Sequence, residues 1–248
     1  MKKFPKGMII AFEGLDCSFK ETNFKEFNRR LRAEFPDATI LNEAFPRYDN
    51  PASDNCQKWL KGIYDRNHLK TKPVAVNSLY AVDRLSYWYE LVHLTITKED
   101  GFMIDILRNS RIENADPLCF IFDRYTFSTP IYNPKYGFTS VNDFKFEIDN
   151  FGIPKPNIVV WMRMNNFSVL EGLLCKKQGR DKNETDIEFL KKTWENLERV
   201  IAHKHIYEEE LGTRIIPIEC LNEDGSIRTE REIADDVWNK VSEIVDAT

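Results

Sequence analysis

Five short apolar runs constrain the fold more than any other feature of this chain. They are Met8 to Phe12, Ala38 to Leu41, Leu118 to Phe122 (LCFIF), Ile158 to Met162 (IVVWM) and Ile215 to Ile218. Apart from Thr39 in the second run, each is apolar along its length instead of alternating, so these read as buried strands. Between them lie segments with helical spacing. Ser18 to Phe35 carries Phe24, Phe27, Leu31 and Phe35 and stops before Pro36. Further helices are expected at Cys56 to Tyr64, Val74 to Thr95, Phe102 to Leu107, Val141 to Phe151, Phe167 to Cys175, Glu230 to Val245 and, as one long charged element, Ile187 to Leu211. Buried strands alternating with helices predict an α/β domain with a parallel sheet of about five strands covered on both sides. The pattern alone fits any α/β domain of this kind.

Length and charge narrow the class. The 248 residues suit one domain, 1–248, with no repeat or linker. The net charge of -5 speaks against a nucleic-acid partner, which calls for a basic footprint. No apolar run approaches membrane-spanning length, and the N-terminus lacks the apolar core of a signal peptide. The five cysteines are odd in number, scattered and never paired as CxxC, so neither a disulfide framework nor a zinc site is expected. These readings point to a cytoplasmic protein.

The chemistry-bearing residues sit where strands end. After the first run comes FEGLDCSFKET, between a strand and a helix, where backbone amides can cradle an anion. Gly14 and Lys20 fit G-x-x-x-x-G-K-[ST]. Phe19 stands in place of the second glycine and Glu21 in place of the hydroxyl residue. Glu21 could supply oxygen to a hard cation, and Thr22 offers a hydroxyl one residue late. Lys20 equally suits an exposed helix position, and Asp16 a carboxylate at a helix start. The second strand leads into FPRYDNP, whose Phe45 and Arg47 suit base stacking and phosphate binding, or a core cap and a solvated arginine. LCFIF ends in Asp123-Arg124 at the sheet edge where open α/β sheets bind ligands. That dipeptide suits a metal or phosphate site, or a surface ion pair. The stretch KKQGRDKNETD reads either as a basic lid or as a solvated charge run.

Taken in order, these segments resemble the thymidylate kinase family of P-loop nucleoside monophosphate kinases. FEGLDCSFKET is similar to that family's FEGxDGSGKTT, with Glu13, Gly14, Asp16, Ser18, Lys20 and Thr22 matching and Cys17, Phe19 and Glu21 departing. LYAVDRLSYW is similar to its A-x-x-R helix through Arg84. FIFDRYTFSTPIYN is similar to its D-R-Y/H segment through Asp123, Arg124, Tyr125, Ser128 and Tyr132. The resemblance runs from Ile9 to about Ile218. It implies a three-layer αβα P-loop kinase fold with a small lid over roughly 173–186, and transfer of a phosphoryl group from ATP to a deoxynucleoside monophosphate, dTMP to dTDP. It implies Gly14, Ser18, Lys20, Glu21 and Thr22 around the donor nucleotide, and Asp16, Phe45, Arg47, Arg84, Arg124, Ser128 and Tyr132 around the acceptor. Lys20, Asp123, Arg124, Arg47 and Arg180 would be catalytic, with Asp123 and Glu21 holding Mg2+. Small-molecule nucleotides and a second copy of the chain, as a homodimer, are the implied partners. The altered loop keeps two other readings open: a nucleotide-binding relative without turnover, and a kinase for another pyrimidine monophosphate.

Overall fold

The computed structural model describes residues 1–64, 73–96, 118–133, 137–178 and 184–248. Five strands form one sheet: β1 (Ile9–Gly14), β2 (Thr39–Ala44), β3 (Leu118–Asp123), β4 (Ile158–Arg163) and β5 (Arg214–Glu219), in the order β2-β3-β1-β4-β5. Every pairing is parallel. The helices are α1 (Lys20–Glu34), α2 (Asp54–Leu60), α3 (Pro73–Ile96), α4 (Ser128–Tyr132), α5 (Val141–Phe151), α6 (Phe167–Lys176), α7 (Ile187–Ala202), α8 (Lys204–Leu211) and α9 (Glu230–Ala247). A 3-10 turn, Pro51–Ser53, precedes α2. The expected helix at 102–107 lies outside the described residues.

Aromatic side chains join the layers. On one face Phe12 of β1 packs on Phe24 and Phe27 of α1, and Phe27 in turn meets Trp238 of α9. On the other, Phe120 and Phe122 of β3 meet Trp88 and Tyr87 of α3. Such contacts add about 0.5–1.5 kcal/mol per pair beyond area burial. Helices therefore cover both faces, which is why the central strands β1 and β4 are buried along almost their whole length, whereas the edge strand β2 is not.

The expected single helix over Ile187 to Leu211 is two. His203 leaves helical geometry at φ -115°, ψ 23°, and its ring Nδ1 lies 2.9 Å from the Arg199 carbonyl, a side-chain contact to the backbone of the preceding turn. Such local bonds compete with the helical ladder. The break redirects α8 so that Tyr207 packs on Phe144 and its hydroxyl donates to the Thr139 carbonyl.

The strand order sets the position of the site. From β1 the chain runs outward to β2, returns to β3, then crosses to β4 on the other side of β1. The reversal point is the carboxyl end of β1 and β3, the place where such sheets bind ligands. Register puts Asp123 level with Phe12 on one side and Ala44 on the other.

Candidate active site

The turn after β1 and the turn after β3 meet in space. Lys20 Nζ donates to Asp123 Oδ1 at 2.7 Å, and both side chains are about nine-tenths buried. Beside this pair, Arg124 Nη2 donates to Asp16 Oδ1 in a close ion pair. Tyr132 completes the group: its hydroxyl lies 3.4 Å from both Arg124 Nη1 and Asp16 Oδ2, and the guanidinium sits 5.6 Å from its ring centroid. Two cations and two carboxylates from segments more than a hundred residues apart thus share one edge of the sheet.

Backbone strain accompanies this geometry. Among the described residues, the non-glycine positions with positive φ are Cys17 (62°), Phe19 (59°) and Arg124 (62°), all in these two turns. Left-handed backbone costs an L-residue about 1–2 kcal/mol. Phe19 thus takes the left-handed conformation that suits a glycine at its position, while its half-buried ring packs toward the core. Gly14 has φ 148°, and a Cβ there would lie 2.7 Å from Ser18 Oγ and 2.8 Å from the Met162 carbonyl. Ser18 is buried and donates to the Leu15 carbonyl at 2.7 Å, closing the turn from within.

Burial shapes the charges. It pushes the Lys20 ammonium below its ordinary pKa, and Arg124 reinforces the shift against the opposing pull of Asp123 and Asp16. For Asp16, burial works upward, but Arg124, Lys20 and Lys177 outweigh it and hold the carboxyl below its ordinary value. Lys177, at the start of the basic stretch, is therefore near enough to act on the site, and it pairs with the buried Glu184. Burial raises the Cys17 thiol, so this loop cysteine is not an activated thiolate.

Several expected residues are placed elsewhere. Phe45 is buried in the core against Tyr87, Phe122 and Tyr125, so it does not offer a free face for a base. Its aromatic neighbours on α3 and β3 leave an apolar slot that the ring fills. Arg84 is buried and clamped to Glu147 through Nε, at 2.6 Å, and Nη2, with Thr129 Oγ1 as a further acceptor at 2.5 Å. A buried guanidinium demands such a partner. Arg47 is likewise engaged: Asp83 accepts from Nε at 3.0 Å and Glu90 from Nη1 at 2.7 Å. Glu21 pairs with Lys25 on the exposed face of α1, and Thr22 is exposed beside it. Both line a groove of about 720 Å³ between α1 and the start of α9, whose lining includes neither Lys20 nor Asp123. The expected Asp123–Glu21 metal pair is thus not formed, because Glu21 falls on the outward side of the first helical turn. Among the described residues no cluster of three or more His, Cys, Asp or Glu could hold a metal. Arg180 lies outside the described residues.

Sequence reasoning matched Glu13 to the loop pattern without giving it a role, and passed over Glu147 and Glu90. Glu13 is fully buried at the end of β1 and accepts from the Tyr125 and Ser128 amides, at 2.8 and 3.1 Å, and from the Ser128 hydroxyl. A charged residue in an otherwise apolar strand is the signal that could have marked it.

No protein-family model matches the sequence, and no curated protein matches it. Solved structures do. The thymidylate kinase of Ehrlichia chaffeensis superposes with a TM-score of 0.59 at 14% identity, covering 96% of this chain and 100% of the other. That of Candida albicans, described as having broad substrate specificity and a novel structural element, does so with a TM-score of 0.54 at 18% identity, covering 98% and 92%. At these identities the likeness is one of backbone architecture. The chain has the αβα P-loop kinase fold that these thymidylate kinases share.

Proposed function

We propose that the protein transfers a phosphoryl group from ATP to a deoxynucleoside monophosphate, dTMP to dTDP. One observation carries this reading: Lys20–Asp123 and Asp16–Arg124 stand side by side at the switch point of a parallel sheet. Phosphoryl transfer asks little covalent chemistry of a protein. It needs two phosphates aligned and their charge neutralised away from water. Lys20 holds the donor phosphates, with Asp123 fixing its ammonium. Arg124 binds the acceptor phosphate, and Asp16 and Tyr132 set its orientation and line the acceptor. Arg180 and Lys177, from the basic stretch, close over the transferring group and stabilise its charge. Arg47 and Arg84 act one layer back, holding the loop after β2 and the helix α4 in place.

ATP in this reading arrives as its Mg2+ complex. The chain's own donor set does not fit a protein-built magnesium site, since Asp123 is engaged by Lys20, Glu21 is paired with Lys25 and both Glu21 and Thr22 are exposed on α1. Charge neutralisation therefore rests on Lys20, Arg124 and the lid cations. The resemblance to thymidylate kinases also supports a cytoplasmic homodimer. Among the described residues no helix is long and apolar enough to cross a membrane.

The same donor-side geometry favours a second reading, nucleotide binding without turnover, and the broad specificity described for the Candida enzyme favours testing other acceptors. ADP release with Mg-ATP against a panel of nucleoside monophosphates separates the three. Release with dTMP above all others supports the proposal. Release with a different pyrimidine monophosphate moves the acceptor, and tight dTMP binding with no ADP release supports the binding-only reading.

A further inference from the structure

The fully buried Glu13 carboxylate holds a single turn from beneath. Oε1 accepts the amide hydrogens of Tyr125 and Ser128, and Oε2 accepts the Ser128 hydroxyl. That turn begins at Arg124, with its left-handed backbone. From Phe120 to Ile131 every residue is buried except Arg124 and Ser128. Glu13 therefore grips the turn from the inside at Tyr125, next to Arg124, and at Ser128, one of the two positions whose side chains are left partly open. While Ser128 gives its one hydroxyl hydrogen to Glu13, it can offer a ligand only lone pairs.

Charge balance singles out the same residue. Lys20 pairs with Asp123, Arg124 with Asp16, and Arg84 with Glu147. Among the described residues no ion pair holds Glu13. It faces Arg124 from the turn after β3, Lys20 from α1, Arg84 from α3 and the Tyr132 phenol from α4, all at longer range. Burial raises its carboxyl to about 7, against the Ser128 and Tyr125 hydrogen bonds and the fields of Arg124 and Lys20.

We propose that Glu13 is a positioning residue that couples proton uptake to anion binding: when a phosphate engages Lys20 and Arg124, Glu13 becomes the neutral acid and Ser128 turns its hydroxyl hydrogen toward the ligand. This rests on the reading of that edge as a phosphate site. A bound phosphate cancels the two cations that favour the ionised carboxyl, and adds negative charge of its own. The carboxylate then takes a proton from solvent. As an acid it donates through Oε2 to Ser128 Oγ, while Oε1 keeps both amide bonds. The hydroxyl is thereby reversed from acceptor to donor on the open side without moving the backbone.

The test uses inorganic pyrophosphate and dTMP as probes. Calorimetry at pH 7.5 in two buffers of different ionisation enthalpy gives the protons taken up on binding. The wild type should take up about half a proton more than Glu13→Gln, and Ser128→Ala, which loses the hydrogen bond that favours the ionised carboxyl, should take up less than the wild type and bind several-fold more weakly. Without ligand, the Tyr125 and Ser128 amide resonances of the wild type should titrate together near neutrality, and pyrophosphate should move that midpoint upward. This second measurement needs no variant to fold. Equal uptake in wild type and Glu13→Gln, a midpoint unmoved by pyrophosphate, or no binding of either probe would overturn the inference. Proton-coupled binding without dTMP turnover would remove the kinase reading and leave the coupling standing. Turnover without Glu13-dependent uptake would do the reverse.

Discussion

Gly14 has no room for a side chain: the nearest atoms to an added Cβ are Ser18 Oγ and the Met162 carbonyl, on either side. Gly14→Ala should cost about 3 kcal/mol, combining overpacking with an unfavourable φ, and urea unfolding would read it. The same turn holds Cys17 and Phe19 in left-handed backbone, so the loop keeps a phosphate-cradling path with residues that resist it. Glu13 adds a pH signature. Its folded pKa of about 7 lies above the ordinary 4.5, so its contribution to stability is fully present below pH 4.5 and is lost as pH rises through 7. The loss approaches about 3 kcal/mol by pH 8. Unfolding measured from pH 4.5 to 8 should show this slope in wild type and not in Glu13→Gln. A wild type and variant with parallel profiles would show that Glu13 is not a titrating group in this window.

Between elements, buried ion pairs replace expected ligand contacts. Arg84 and Glu147 join α3 to α5, and removing one partner leaves the other charged and buried. Glu147→Ala should destabilise by about 3–5 kcal/mol in urea. Arg47 ties the loop after β2 to Asp83 and Glu90 on α3; Glu90 is half exposed, and Arg47 draws its carboxyl below the ordinary value. Glu90→Gln should therefore cost less, under about 1 kcal/mol, and a larger loss would place that contact deeper in the fold than its exposure allows. The limits of sequence reading follow from these pairs. Continuous apolar runs announced the strands at the centre of the sheet, because a strand buried on both faces leaves no other pattern; the edge strand β2 keeps only Ile40 buried, and its run was shorter than the strand. Order along the chain also marked Asp16, Lys20, Asp123 and Arg124, because strand ends in a parallel sheet converge. It did not reveal that Arg84 faces Glu147, 63 residues away, and it left Phe45 open between base stacking and a core cap, since an arginine or an aromatic beside a strand end carries no sign of which way it points. The break at His203 was hidden for a related reason: the helical period continues through it, and only a local contact from the His203 ring to the backbone of the preceding turn marks it.

Across the whole molecule, the architecture brings two loops distant in sequence to one edge of the sheet and supplies each with a cation and a carboxylate. Two thymidylate kinases share that architecture over nearly the full chain. The account stands on the joint action of Lys20 and Arg124, and label transfer tests it most directly. With γ-labelled ATP and dTMP, wild-type protein should form labelled dTDP, and Lys20→Ala and Arg124→Ala should each lower the rate by about 100-fold or more while keeping a folded circular dichroism spectrum. Transfer that continues at the wild-type rate in both folded variants would contradict it.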